Sequence, residues 1–312
     1  MNKRLDISVV VPLYNEEESL PELVQWIDRV ARTNELTYEI ILIDDGSTDG
    51  SGDIVAAIES PLIRLIRQEN KGVSVARNVG IEAANSEWVA LLDGDDAWCS
   101  DFLSTIVSLM EQYPSCGAYS TAFYVEQGDE RVAADTPADA GIVDFFAEAM
   151  SRYVIIPSTA VLNRDLVLSL GGFPEGMRLG EDQYLWTKIA RQSDIAFSPK
   201  KMAIYSRAAS NRSASIYRAE QTRFSFEELY DSAESDLSNE YIARVALGKA
   251  LVESVKGGTA VAARMAKFFS YTRLSRRALW KVRVLNSLPR FMRPSLLAAY
   301  NWLAWKIAHK GM

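Results

Sequence analysis

The first half of the chain alternates between unbroken apolar runs and segments with helical spacing. Ile7–Leu13 is a continuous run rich in β-branched residues, and residues 17–32 repeat apolar side chains at Leu20, Leu23, Val24, Ile27 and Val30. Residues 38–43 and 62–66 are further apolar runs. Between them lie Asp44-Asp45-Gly46-Ser47-Thr48-Asp49-Gly50, rich in turn and N-cap residues, and a helix to about Ile58. A helix over residues 73–84 turns Ala76, Val79, Gly80 and Ala83 to one side. Residues 88–92, 102–113 and 118–125 then read as strand, helix and strand. Apolar strands alternating with helices of about 10–15 residues predict an α/β fold, with a mostly parallel central sheet covered by helices on both faces. In such sheets ligands bind beyond the carboxyl ends of the strands.

The pattern loosens after residue 126. Residues 127–140 are polar and charged and read as a surface excursion. A helix near residues 142–153, a strand at 158–162, the turn Gly171-Gly172-Phe173-Pro174 and a helix over 181–191 follow. Residues 215–256 and 259–309 read as helices, the last opened by Pro294. The expected organisation is a domain over 1–213, in two parts at 1–126 and 127–213, and a helical C-terminal region over 214–312.

Charge sharpens this division. Residues 1–253 hold 22 Lys/Arg against all 41 Asp/Glu, a net of −19, whereas residues 254–312 hold 12 Lys/Arg and no acid. The two cysteines, Cys99 and Cys116, suit small core residues of a reducing cytosol rather than a disulfide framework. The N-terminal apolar run is too short for a signal peptide, and the longest uncharged tail stretch, residues 294–305, is too short to span a bilayer. The single histidine is His309, so Ser-His-Asp, Cys-His and His-rich metal chemistry have no candidate in the body. Acid–base work would fall to carboxylates, Lys, Tyr or Cys.

The most telling run is Trp88-Val-Ala-Leu-Leu-Asp-Gly-Asp-Asp-Ala-Trp98, an apolar strand ending in Asp93, Asp95 and Asp96. On an extended backbone Asp93 and Asp95 converge and Asp96 points away, while Gly94 leaves room for close approach. Two hard oxygen ligands suit Mg²⁺ or Mn²⁺ shared with substrate phosphates. The alternative is an acidic turn capping the next helix. Strand ends also carry Tyr14, Asn15 and Glu16, and Asp44-Asp45. No GxxxxGK[ST] or GxGxxG loop is present, which disfavours P-loop and dinucleotide-binding enzymes and a metal-dependent nucleotidyltransferase. Diphosphate would then be neutralised by metal and by basic side chains, of which Lys71 and Arg77 are nearest.

Taken in order and spacing, Pro12-Leu-Tyr-Asn-Glu16, Asp44-Asp-Gly-Ser-Thr-Asp49, Asn70-Lys-Gly-Val-Ser-Val-Ala-Arg-Asn-Val-Gly80, Leu92-Asp-Gly-Asp-Asp96 and Gly171-Gly-Phe-Pro…Glu181-Asp-Gln-Tyr-Leu-Trp186 resemble family 2 glycosyltransferases of the GT-A fold. The likeness covers about residues 5–207. It implies inverting transfer of a sugar from a nucleoside-diphosphate sugar, usually a UDP-sugar. Carried over, Pro12, Leu13, Tyr14 and Glu16 would line the nucleoside pocket and Asp45 would bond the base. Asp93, with Gly94, would lie near the ribose or sugar, and Asp95 would ligate the metal. Asp182 would be the general base, with Glu181 about 100° away on its helix. Trp186 could stack on an acceptor sugar or serve as a core aromatic. Many relatives carry a histidine after the Glu-Asp helix; here the stretch reads Ile204-Tyr-Ser-Arg-Ala-Ala-Ser-Asn-Arg212, so either Arg207 or Arg212 would neutralise diphosphate directly or the loop would close differently.

The tail combines its twelve cations with Phe268, Phe269, Tyr271, Trp280, Tyr300, Trp302 and Trp305. Basic amphipathic helices with aromatics fit an anionic membrane surface, whereas the acidic body argues against nucleic acid. Packing on the body is the other reading. The family analogy implies a glycan or polyprenyl-linked acceptor and a cytoplasmic enzyme, peripheral on the inner face of the membrane. A nucleotide-sugar-binding scaffold without turnover is the competing function.

Overall fold

A computed structural model describes residues 7–20, 23, 26, 38–58, 60–206 and 222–295. Most of the helix expected over 17–32 therefore lies outside the described residues, as do Arg207, Arg212, Tyr300, Trp302, Trp305 and His309. The chain divides into two compact units, residues 1–224 and 225–312.

The strands of the first unit are β1 (Ile7–Leu13), β2 (Tyr38–Asp44), β3 (Ile63–Arg67), β4 (Trp88–Leu91), β5 (Ala97–Trp98), β6 (Ala118–Gln127), β7 (Glu130–Ala133), β8 (Gly141–Val143), β9 (Val161–Asn163) and β10 (Ile195–Ser206). They form one sheet in the order β3-β2-β1-β4-β9-β6-β10-β5, with β7 on β6 and β8 on β10. The four strands from β3 to β4 run parallel, as do β6 and β10, and β9 lies antiparallel between the two groups. The interleaved helices are α1 (Ser51–Ala56), α2 (Val73–Ala83), α3 (Phe102–Gln112), α4 (Phe145–Ala149), α5 (Arg164–Ser169) and α6 (Glu181–Gln192). This is the expected mixed α/β fold.

The order reverses between β1 and β4: β2 and β3 extend the sheet one way from β1, and β4 extends it the other. Such a reversal opens a crevice at the carboxyl ends of the two strands, where ligands bind. Pro12 sits inside β1, opposite Ile43 of β2, rather than breaking the strand. The Val10 carbonyl faces the β4 side, where it accepts from Leu92 N–H at 3.1 Å. Pro12 has the same parity, so its missing donor would point toward β4 beyond the last paired residue, Val10, and no ladder bond is lost. On the same strand α2 packs so closely that a Cβ on Gly80 would lie 2.3 Å from Val10 Cγ1.

Several expectations beyond residue 126 change. Residues 127–140 contain a hairpin, with Gln127 opposite Glu130 and Gly128 at φ +59° in the two-residue turn. The expected helix at 142–153 is a short strand, β8, followed by the one-turn α4, which Asp144 caps through Ala147 N–H at 3.1 Å. The strand expected at 158–162 begins with a 3₁₀ turn, Pro157–Thr159.

In the second unit a 3₁₀ turn, Phe226–Leu229, precedes α7 (Asp236–Lys256). Of the helix expected over 215–256, residues 215–221 lie outside those described, and α7 starts at 236, where the Ser235 side chain accepts from Ser238 N–H at 3.1 Å. It ends at Gly257, whose φ of +104° suits glycine alone. Of the helices expected over 259–309, the structure gives α8 (Thr259–Phe268), a 3₁₀ turn and α9 (Arg276–Ser287), and Pro294 falls in a helical stretch at 293–295, beyond which residues 296–309 lie outside those described. The break between α8 and α9 follows from Glu240 of α7. Its buried carboxylate accepts the Thr272 hydroxyl and the backbone N–H groups of Arg273 (2.5 Å) and Leu274 (3.1 Å), pinning a turn between the helices. α8 and α9 both pack on α7. Among the described residues no helix is long and apolar enough to cross a membrane.

Candidate active site

Beyond β1, β2 and β4 lies a cavity of about 550 Å³. Pro12, Leu13, Tyr14 and Glu16 line it from the end of β1, Asp45 from β2, and Asp93, Gly94 and Asp95 from β4. Arg77 comes from α2, and Glu181, Asp182 and Gln183 from the first turn of α6. The opposite wall is largely apolar: Phe123, Val125, Tyr153, Ile155, Ile156 and Tyr205.

Hydrogen bonds lace the strand-end loops together. Asn15, at φ +56°, accepts Thr48 N–H on its side-chain oxygen at 2.8 Å, and Glu16 N–H donates to the Ser51 hydroxyl at 2.9 Å. Tyr14, just ahead of these two anchors, lines the cavity and is 41% exposed. Asp45 also has a task within the fold. Its Oδ1 accepts from Gln68 Nε2 (2.6 Å) and Lys71 N–H (2.9 Å), and its Oδ2 from Gly72 N–H (2.8 Å). The carboxylate thus fixes the loop into α2 while it borders the cavity. Lys71 contributes that backbone group, but its side chain is exposed and does not line the cavity.

The acidic run is a turn rather than an extended strand end. β4 stops at Leu91, and Asp96 N–H bonds the Asp93 carbonyl at 3.1 Å. Asp93 and Asp95 still both reach the cavity, but the i, i+2 alternation of a strand is not the reason. Gly94 allows close approach of the protein itself: a Cβ there would meet Leu13 Cδ2 at 2.8 Å and Glu16 Cγ at 3.2 Å. Asp96 is buried beneath. It accepts the Ser158 hydroxyl at 2.5 Å and Ser206 N–H at 2.9 Å. Burial, reinforced by Asp93 and Asp95, raises its pKa well above the usual carboxylate range. Ser158 also accepts Asp93 N–H at 3.1 Å, and its carbonyl accepts Trp98 Nε1–H at 2.6 Å. The 3₁₀ turn therefore holds both ends of the acidic run.

Arg77 is 3% exposed, not on a solvated helix face. Its Nη2 donates to Asp93 Oδ1 at 2.7 Å, its Nη1 lies 3.7 Å from Glu181 Oε1, and its Cζ sits 5.2 Å over the Phe173 ring. Burial opposes its charge, but Asp93, Glu181 and Asp182 outweigh that and raise its pKa. Arg77 thus couples the β4 turn to α6, a role distinct from direct neutralisation of diphosphate. Replacing it with methionine strands Asp93 and Glu181 without their cation. Urea denaturation should then show a loss of about 3 kcal/mol, the low end for a broken buried pair because both acids retain some solvent. A loss below about 1 kcal/mol would mean the ion pairs contribute little.

At α6 the left-handed Gly180 (φ +86°) starts the helix, and its open end faces the cavity. Glu181 and Asp182 therefore both line it despite their 100° separation. Burial, then the Asp182 charge, pushes Glu181 up to about 7 against the opposing pull of Arg77. Burial likewise raises Asp182, opposed by Gln183 N–H, which donates to Asp182 Oδ1 at 2.8 Å. Trp186, by contrast, is 1% exposed and packs edge-on against Phe173 at 5.9 Å. It is a core aromatic and reaches no acceptor.

Sequence reasoning passed over Asn78, Ser158, Arg178 and the apolar wall. Asn78 lies within a motif already singled out; it bonds both Phe173 N–H (2.8 Å) and Phe173 C=O (2.9 Å), clamping the glycine turn before α6. Arg178 lines the cavity just ahead of Gly180, and nothing in its local pattern marks it. Among the described residues no group of three or more His, Cys, Asp or Glu could hold a metal alone. Asp95, with Asp93 tied to Arg77, offers hard carboxylate oxygen to a divalent ion that substrate phosphates and water would complete, which is the usual Mg²⁺ arrangement.

Comparison with known proteins agrees with this geometry. GlyG, a glycosyltransferase of Streptococcus pneumoniae serotype 4 (strain ATCC BAA-334 / TIGR4), is 29% identical over 229 residues, covering 69% of this chain and 73% of GlyG. Four further curated relatives are longer, and the chain spans 32% to 48% of them. The crystal structure of S. aureus TarS 1–349 in complex with UDP-GlcNAc matches with a TM-score of 0.60 at 21% identity, covering 86% of this chain and 74% of that one. The mannosyltransferase PcManGT from Pyrobaculum calidifontis, in complex with GDP-Man and Mn²⁺, matches with a TM-score of 0.52 at 21% identity, covering 97% and 81%. At such identities these two establish the GT-A fold alone. The family model described as Glycosyl transferase family 2 matches residues 8–170, more than half the chain and the segment that builds the β1, β2 and β4 side of the cavity. The chain therefore belongs to glycosyl transferase family 2 and is a glycosyltransferase.

Proposed function

We propose that the protein transfers a sugar, with inversion, from a UDP-sugar to a hydroxyl of a glycan or polyprenyl-linked acceptor. The observation that carries this reading is one cavity in which Asp95 on the β4 turn and Asp182 on α6 both face the same space. Tyr14 and the β1 end would hold the nucleoside, and Asp95, next to Asp93, would hold a Mn²⁺ or Mg²⁺ ion. Such an ion, when bound, would offset charge on the departing diphosphate.

Asp182 would take the proton from the acceptor hydroxyl as that oxygen attacks the anomeric carbon. The bond from that carbon to the diphosphate oxygen breaks, and the nucleoside diphosphate leaves with the electron pair. A base with a raised pKa suits proton transfer near neutral pH. Glu181 and Arg77 would keep Asp182 and Asp93 in register across the cavity, and Arg178 adds positive charge at its edge. UDP bound to TarS and GDP-Man with Mn²⁺ bound to PcManGT support a nucleotide donor and a divalent ion. The acceptor reading places the enzyme at the inner face of the cell membrane, with the second unit against anionic lipid.

Transfer assays with UDP-, GDP- and dTDP-sugars, with and without Mn²⁺, test the reading. Metal-dependent release of UDP with formation of the opposite anomer is expected. Tight donor binding with neither transfer nor hydrolysis would favour the scaffold reading.

A further inference from the structure

The cations of the second unit are unevenly placed. Several of them serve its own structure, among them the buried Lys249, whose ammonium sits 5.8 Å over the Phe226 ring. Arg293 is buried and donates to the Ser254 carbonyl at 2.9 Å and to the Leu288 carbonyl at 2.8 and 3.0 Å. Lys256 pairs with Glu253 at 3.3 Å, and Arg264 pairs with Glu227 at 3.0 Å. The aromatics are divided in the same way. Phe269 is fully buried, and Phe268 and Tyr271 pack on Tyr230 with ring centroids 5.9 and 5.1 Å apart. Trp280 makes no such contact among the described residues and is 61% exposed.

Trp280 lies on α9, whose buried residues Leu279, Val282 and Leu285 face inward. At about 100° per residue, Trp280 falls roughly opposite the centre of that buried stripe. Arg276 and Arg277, one turn earlier, and Arg283, one turn later, flank it, and all three are exposed. Leu274, just ahead of the helix, is also 61% exposed. From residue 254 onward there is no acidic side chain to offset this charge.

We propose that the outward face of α9, centred on Trp280 and its flanking arginines, is the surface by which the protein rests on an anionic phospholipid bilayer. This rests on the membrane reading above and names the contact. The apolar stripe of α9 is already occupied by the fold, so the helix does not insert as an amphipathic anchor. Contact is instead adsorption: the arginines meet anionic headgroups, and the indole enters the interfacial layer that tryptophan favours. A second copy of this face would set arginine against arginine. Nucleic acid would meet a body whose residues 1–253 carry a net charge of −19.

The test is co-sedimentation of the full chain with vesicles of phosphatidylcholine, alone or mixed with phosphatidylglycerol, alongside melting curves. The unaltered protein should bind the mixed vesicles and not the neutral ones. Each exposed arginine removed should weaken binding about fivefold, so Arg276→Ala/Arg277→Ala should lose roughly 25-fold with an unchanged melting temperature. Brominated lipid should quench part of the fluorescence of the unaltered protein but not that part in Trp280→Phe. Undiminished vesicle binding by the double variant, with unchanged quenching in Trp280→Phe, would overturn the α9 assignment and leave the membrane reading standing. Failure of the unaltered protein to bind mixed vesicles would overturn both.

Discussion

Replacing Asp182 with asparagine is expected to leave donor binding in place and to lower the transfer rate by about 10²–10⁴-fold, the range for loss of a positioned general base. Asparagine keeps the shape at the start of α6 and still accepts Gln183 N–H on its carbonyl oxygen, now 2.8 Å from Asp182 Oδ1. Only basicity is removed. The pH dependence discriminates further. Burial raises Asp182, so the unaltered enzyme should lose activity as pH falls through a value above the ordinary carboxylate range, because the protonated acid cannot accept the acceptor's proton. In the asparagine variant that limb should vanish. Glu181 sits beside it and is itself pushed up to about 7, in part by the Asp182 charge. If the acidic limb persists in the variant but moves to lower pH, the base is Glu181, relieved of its neighbour's charge. Collapse of donor affinity with kcat unchanged would make Asp182 a binding residue.

How much of this was legible follows from what burial does to sequence. β1, β2 and β4 are covered by neighbours and leave unbroken apolar runs, so their ends, and the acidic groups there, could be located by inspection. β10 is twelve residues long yet contains Pro199, Lys200 and Lys201, where its register against β6 shifts. The irregularity puts charge into the middle of a strand and hides it. Residues 142–153 mix apolar and polar positions without a clean period, and tertiary pairing with β10, which the sequence does not display, makes a strand of β8. Side-chain direction was least legible. Trp186 and Arg77 have identities that suit a ligand, but their positions on α6 and α2 turn both inward. Gly94 has a steric reason that only the packing of Leu13 and Glu16 reveals. Ser158 carries no motif, because its importance lies in what it bonds rather than in its chemistry.

Changing Asp95 to alanine or asparagine is expected to abolish Mn²⁺-dependent UDP binding and to lower turnover by at least about 100-fold, more than is usual for groups that merely orient a ligand. The fold should persist, since Asp95 sits half-buried on the rim turn, outside the hydrophobic core. Titration of the protein with UDP, with and without Mn²⁺, reads the ligand role without relying on turnover. A melting curve taken in parallel reads the fold. The neighbouring acids supply the contrast. Asp93→Asn would leave the buried Arg77 short of the partner it holds at 2.7 Å and should lower stability as well as activity. Asp96→Asn replaces a carboxyl whose charged form burial disfavours, and its amide can still accept one of the bonds from Ser158 and Ser206. Three changes within four residues should therefore separate cleanly: metal-linked binding at 95, stability with activity at 93, and a mild effect at 96. Undiminished Mn²⁺-dependent UDP binding in both Asp95 variants would remove that residue from the site and pass the ligand role to Asp93.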